Sequence, residues 1–369
     1  MKIIIEPNDV LMFRESKPYT AGESHLARST LPLPQVVAGA LRTAILVKGN
    51  FSDKACKLAG VIKEEGKLIP KEPEFEVLGH FLLYKPSKDE KEQEYFPTPF
   101  DVAKAKGIDG YFFVEPLPLD GSSERWRGKF VFKGKTIHFG GVGGYLSYDD
   151  LIRYLKGELR EDELEDAIRG DLVKKESRVG IKLGNAKTTE EGYFYKAEFL
   201  RFSKGVKLSV WLNGNDIKDS LGESGLIRLG GESRFARFTI IDENPLKDLK
   251  VAWNEIKEKI NEKGRFKLYV ATPLLIRSGD NYTWDVKPIL EEKLKKKIKI
   301  KNIYSLIGKP LTFSGWDYAN NRPKPNRHAV PAGSVYFVEF DDNFELDKPY
   351  LKLGELTKLG YGLCFMGVW

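Results

Sequence analysis

The 369-residue chain is poor in sulfur and imidazole, with two cysteines, three methionines and four histidines. Cys56 and Cys364 are too few for a disulfide framework or a four-ligand zinc site, and the scattered histidines do not make up the difference. No apolar run approaches the roughly 18 residues that a membrane helix needs. The apolar start Ile3–Ile5 stops at Glu6, Pro7, Asn8 and Asp9, far short of the apolar region of a secretory leader. The expected setting is a reducing, cytoplasmic one, away from membranes. Glutamine occurs only at Gln35 and Gln93 in a chain loaded with Lys and Glu, a composition that points to a hyperthermophilic source. No run of Asp suggests a two-metal centre. Asp149 and Asp150 read as the first turn of a helix, where carboxylates complement the dipole. No metal, no cofactor and no metal-dependent nuclease or nucleotide-polymerising chemistry is expected.

Charge, in contrast, is abundant. Lys and Arg number 60 against 53 Asp and Glu, a net charge of +7, while 41% of residues are hydrophobic, enough to exclude global disorder. At about 150 residues per domain the length fits two domains. A mild basic surplus permits nucleic-acid binding without requiring it. Its distribution says more: Gly157–Asp171 is acidic, whereas Lys293–Lys301 (KLKKKIKIK) carries six lysines in nine residues. That run reads either as a solvated helix end leading into an edge strand guarded by Lys, or as a surface that tracks phosphates.

Periodicity then orders the chain. Lys2–Ile5 is a strand, resuming over Val10–Phe13, and Ser16–Ser29 is a long polar loop. Val36, Val37, Ala40, Leu41, Ala44 and Ile45 recur at helical spacing, with Pro34 in the first turn. Residues from about 50 to 175 read as an insertion. It contains the glycine run Gly140–Gly144, a turn without the lysine and hydroxyl of a phosphate loop, and a helix over Ser147–Leu155 capped by Ser147. Arg178–Leu183 and Tyr193–Phe202 form a hairpin, followed by a strand over Lys207–Leu212, a helical stretch near Asp216–Ile227 and a strand over Arg234–Ile241. Leu246, Leu249, Trp253, Ile256 and Ile260 make the apolar stripe of a linker helix. Phe266–Ile276, a helix over Val286–Lys297, strands within Ile298–Trp316 and at Gly333–Phe340, a short helix over Leu351–Leu359 and the closing strand Leu363–Trp369 complete a second unit.

Both units end in a short helix, a glycine turn and a strand. The expected fold is α+β: tandem ferredoxin-like (RRM-like) domains, the first over 1–243 with the insertion, a linker helix over 244–264, and the second over 265–369.

Several segments carry a family resemblance: Met12–Pro34 and the helix Val36–Leu46, Gly143–Leu159, Glu176–Tyr195, Leu229–Phe238, Arg327–Phe340 and Lys358–Phe365. Taken in order, they resemble the RAMP superfamily of CRISPR-associated proteins, in particular the third subunit of the Cmr module, the type III-B effector complex. The segment between about 50 and 110 has no match. The resemblance implies a non-catalytic RNA-binding subunit that holds the 5′ tag of the guide (CRISPR) RNA and docks on a large polymerase/cyclase-like subunit. A backbone RAMP subunit would be a further partner, and target RNA would be met indirectly.

An RNA holder needs cations for phosphates, backbone that can approach closely, and flat faces for splayed bases. Gly230 and Gly231 followed by Arg234 and Arg237 offer such a set. In a strand the two arginines face opposite ways, so one of them would meet RNA. Arg14, Lys17, His25 and Arg28 lie in or beside the long loop, and Arg178 and Lys182 alternate on one strand face around Gly180. Arg42, on the first helix, is a candidate phosphate ligand or a structural charge that must be paired. The family pattern adds the turn of Gly360 and Gly362. His25, with Tyr19 and Lys17, also supports an alternative: a RAMP-type, metal-independent endoribonuclease processing guide-RNA precursors with His25 as acid or base. His80, His138 and His328 read as core or surface residues.

Overall fold

The computed structural model describes residues 1–15, 28–116, 130–132, 135–136, 140–183, 189–214, 216–294, 298–317, 321–341 and 345–369, with backbone alone for 130–136, 181–195 and 316–317 within those ranges. Two compact units form: Met1–Glu90, Asp171–Glu243 and Thr312–Arg327 make one, and Lys91–Gly170, Asn244–Leu311 and His328–Trp369 the other. The region read as one insertion is thus shared, with its first forty or so residues in the first unit and residues 91–170 in the second.

In the first unit five strands lie side by side in the order Glu76–Tyr84, Lys207–Asn213, Lys2–Pro7, Phe235–Ile241 and Ser224–Arg228, every neighbour antiparallel. Alternation explains which face is covered. Ala236, Phe238 and Ile240 are buried beside Ile3 and Ile5, whereas Phe235, Arg237 and Ile241 are exposed. The first helix, Pro34–Lys48, begins with Pro at its N-terminus, where a missing N–H costs nothing, and buries Val37, Ala38, Leu41 and Ile45. Val10–Phe13 does not continue the first strand. It makes a single bridge, Leu11 to Leu200, with the long hairpin of Val173–Leu183 and Thr189–Phe202. The helical stretch near 216–227 is confined to Ile217–Leu221, because Gly222 turns the chain at φ +68° and Ser224–Arg228 pairs as a strand.

The second unit repeats the lateral order. Lys299–Leu306, Val335–Asp341, Arg265–Val270, Leu363–Val368 and Tyr350–Lys352 form an antiparallel sheet. In each sheet the first strand in sequence sits between the third and the last of the main strands, and a short strand is added beside the last. Residues 350–352 are strand where a helix was expected: Leu351 and Leu353 alternate into the core, and Gly354 passes so near the Leu275 carbonyl that an added Cβ would sit 2.0 Å from its oxygen. The likeness of the two ends is therefore edge strand, glycine turn and last strand. Lys299 and Lys301 of the lysine run lie on a terminal strand of this sheet, and Lys301 pairs with Asp341 at 2.5 Å.

Helix Tyr148–Lys156 has the expected cap: Ser147 Oγ accepts from the Asp150 N–H at 3.2 Å, and Gly157 ends it at φ +71°. It packs on Lys247–Lys263, whose stripe Leu249, Trp253, Ile256 and Ile260 is buried. Within this unit fully buried Asp101 accepts from Lys267 Nζ at 2.9 Å and from the Tyr154 hydroxyl at 2.8 Å. The ammonium also lies 4.7 Å from the Tyr154 ring centre. The buried carboxylate is compensated by the largely covered ammonium and the Tyr154 hydroxyl, and the ammonium also by the aromatic face, the condition under which such a pair is tolerated.

One histidine of the first unit is enclosed in a way that links its protonation to folding. His80 Nε2 donates to the Pro32 carbonyl at 2.8 Å, while Nδ1 is enclosed without a partner. Burial lowers its pKa from 6.5 to about 4. The folded protein therefore holds His80 neutral while the unfolded chain gains a proton near 6.5. Its contribution is complete above that pH and is lost as pH falls to about 4, a change of at most about 3 kcal/mol. Denaturant unfolding at pH 7.5 and pH 4.5 should show this loss, and His80→Gln should reduce it.

Candidate nucleic-acid interface

The residues that could hold RNA meet where the long hairpin crosses the segment after the first strand. Leu11 and Leu200 exchange backbone hydrogen bonds at 2.9 and 2.8 Å, and Val10, Met12, Ala197 and Phe199 bury a small apolar cluster. Register does the rest. Glu176 lies opposite Phe199 and Arg178 opposite Ala197, so Glu176, Arg178, Phe199 and Arg201 share one face of the hairpin.

Three guanidiniums converge there on Asp9. Arg178 and Arg234 each reach Oδ2 at 3.4 Å, and Arg201 reaches Oδ1 at 3.4 Å. Glu176 accepts from Arg178 at 2.8 Å and more closely from Arg201. Arg178 and Arg234 also lie over the Phe199 ring, at 5.2 and 5.3 Å. The hydrogen bonds from Arg201 and Arg178 hold the Glu176 carboxyl down to about 2. At Asp9 burial pushes upward, but the Val10 N–H and the charges of Arg178 and Arg201 outweigh it and the pKa is lowered. Three cations against two carboxylates leave one positive charge in excess on a face that solvent reaches.

The glycine turn supports this cluster from behind. Gly231 N–H donates to the Met12 carbonyl at 2.8 Å, and Gly230, at φ +83°, leaves no room for a side chain: a Cβ would lie 2.6 Å from the Met12 oxygen. Glu232 and Ser233 follow at φ +57° and +52°, left-handed values that L residues adopt at a cost. This strained pair delivers Arg234 to Asp9. Arg237 points to the opposite, open face, in register with Leu226 and Glu6.

The other expected residues are dispersed. Arg42 donates to the carbonyls of Ala59, Gly60 and Lys71 at 2.6, 2.6 and 2.9 Å, which makes it a clasp between the first helix and the following loop. Gly360 and Gly362 are buried in the second unit, and a Cβ on Gly362 would meet the Leu353 oxygen at 1.9 Å. Arg14 and Arg28 are exposed on either side of the Arg14–Ser29 bridge. Lys17 and His25 lie outside the described residues, as does the side chain of Lys182. Asp9, Arg201 and Phe199 were not singled out from the sequence. Alternation along Ala197, Phe199 and Arg201 was the available signal for two of them. Among the described residues no group of three or more His, Cys, Asp or Glu could hold a metal ion, and no helix is long and apolar enough to cross a membrane.

Two antiparallel sheets of one strand order, with a cationic hairpin in the first unit, make an α+β protein. The chain belongs to the family described as CRISPR-associated protein (Cas_Cmr3), whose model matches residues 3–369. The CRISPR system CMR subunit Cmr3 of Saccharolobus solfataricus is 24% identical over 200 residues, and the chain spans about half of that relative, 53% of its length against 52% of its own. The fold is shared with a chain of the Type III-B Cmr-beta bound to cognate target RNA, at TM-score 0.51 and 18% identity. A chain of the same assembly with target RNA and AMPPnP gives 0.50 and 17%. Each comparison covers 91% of this chain and 86% of the other.

The two glycines of the turn are not equivalent. Gly230→Ala should destabilise the chain by more than about 1 kcal/mol, and Gly231→Ala, whose added Cβ would lie 3.6 Å from the Met12 oxygen, should be tolerated. Thermal unfolding of the two variants checks this difference.

Proposed function

We propose that the chain is the RNA-holding, non-catalytic subunit of a type III-B Cmr effector complex in CRISPR defence. It grips the 5′ tag of the guide RNA and docks on the large polymerase/cyclase-like subunit and on a backbone RAMP subunit, with target RNA reached through the guide. The observation that carries this reading is the convergence of Arg178, Arg201 and Arg234, which solvent reaches, above the buried Phe199 ring of the hairpin. Guanidiniums grip phosphate oxygens, and the buried ring supports the cations themselves. Arg14 and Arg28 are exposed beside the same segment, and Lys17, His25 and Lys182 belong to this reading through the sequence resemblance alone. The two sheets are read as ferredoxin-like halves within 1–243 and 265–369, joined by the helix of 244–264.

Binding of a labelled tag-containing RNA to the full chain tests the site. Replacing Arg178 and Arg201 with alanine should weaken binding on the order of tenfold or more and lower the log–log salt slope by about 0.7 for each phosphate no longer neutralised. Unchanged affinity and slope contradict the site. The RNA should stay intact in EDTA; specific cleavage abolished by His25→Ala would install the endoribonuclease instead.

A further inference from the structure

The two carboxylates of the cluster are held unequally, Glu176 closely and Asp9 loosely. Glu176 is held tightly by Arg178 at 2.8 Å and more closely by Arg201, as charge-assisted hydrogen bonds are. Asp9 is met by three guanidiniums, all at 3.4 Å, too long for that class of bond. Arg234 has Asp9 as its one ion-pair partner among the described residues, and its Nε is buried without any acceptor. A buried donor left empty costs more than a weak contact returns. The group is nonetheless held in place by two successive left-handed residues, Glu232 and Ser233. The Asp9 side chain is 44% exposed and that of Arg201 47%, so a ligand can reach the cluster from solvent.

We infer that Asp9 occupies the place of a phosphodiester group, and that a phosphate of single-stranded RNA displaces it from Arg178, Arg201 and Arg234 on binding. A phosphodiester carries the same single negative charge and presents tetrahedrally arranged oxygens, so three guanidiniums approaching from different strands can each find an acceptor. Glu176 stays, because it fixes Arg178 and Arg201 through shorter bonds. Asp9 is then a positioning residue and a competitor: it keeps the arginines gathered while RNA is absent and sets the affinity threshold for backbone anions. The inference rests on the reading of this cluster as a phosphate site.

The test measures binding of a short uridine oligonucleotide by the full chain, with unfolding followed in parallel. Asp9→Asn, which keeps the shape and removes the charge, should tighten binding about two- to fivefold, whereas Arg201→Ala should weaken it. Asp9→Ser should tighten it as well. Unchanged or weaker binding in both Asp9 variants, with the arginine variant impaired, overturns the displacement while leaving the phosphate site standing. Binding indifferent to Arg201 overturns both. Loss of the native fold in Asp9→Asn and Asp9→Ser alike also overturns the inference, since Asp9 would then be a structural clasp.

Discussion

In the first unit one carboxylate gathers side chains from pieces of chain far apart in sequence. Asp9 follows the first strand, Arg178 and Arg201 belong to the two arms of the hairpin, and Arg234 opens the last strand of the sheet. A single surface ion pair contributes little. Here the buried apolar patch sets where the arms cross, Glu176 fixes Arg178 and Arg201 through the closer contacts, and Asp9 gathers the exposed guanidiniums. The Val10, Met12, Ala197 and Phe199 cluster supplies the apolar part of that lock and the ions its orientation.

The same lock explains why glycine and strain are found where they are. The 229–234 turn must pass within contact of the Met12 carbonyl, which only Gly230 permits, and must then reverse quickly enough to aim Arg234 at Asp9. Glu232 and Ser233 absorb that reversal in left-handed conformations. Backbone strain persists where surrounding contacts over-determine it. In the second unit the equivalent turn, around Gly360 and Gly362, is buried against the Leu353 carbonyl and carries no arginine toward solvent. One supersecondary arrangement thus presents an arginine to solvent in one half and is buried in packing in the other.

Much of the fold was legible in the sequence because it is local. The stripe of Leu249, Trp253, Ile256 and Ile260, the Ser147 cap and the hairpin all follow from periods and caps that a few residues define. The short helix expected over Leu351–Leu359 failed because Leu351 and Leu353 answer to a sheet partner, Cys364, and because Gly354 lies against the distant Leu275. The site was half legible. Arg178 and Arg234 stood out as cations beside glycine, but their acceptor did not, since Asp9 lies 169 residues from one and 225 from the other. For Arg42 the sequence left a phosphate ligand and a paired structural charge both open, because its carbonyl partners at Ala59, Gly60 and Lys71 are backbone groups, invisible to any reading of side-chain types.

RNA is held, in this account, on the hairpin face of the first unit. Ultraviolet crosslinking of guide RNA in the assembled ribonucleoprotein, mapped peptide by peptide, tests that most directly. Crosslinks within Val173–Leu183, Thr189–Phe202 and the 228–237 segment are the predicted result. Crosslinks confined to the second unit, for instance to Lys287–Lys293 and Lys299–Leu306, with none on the hairpin, would contradict it.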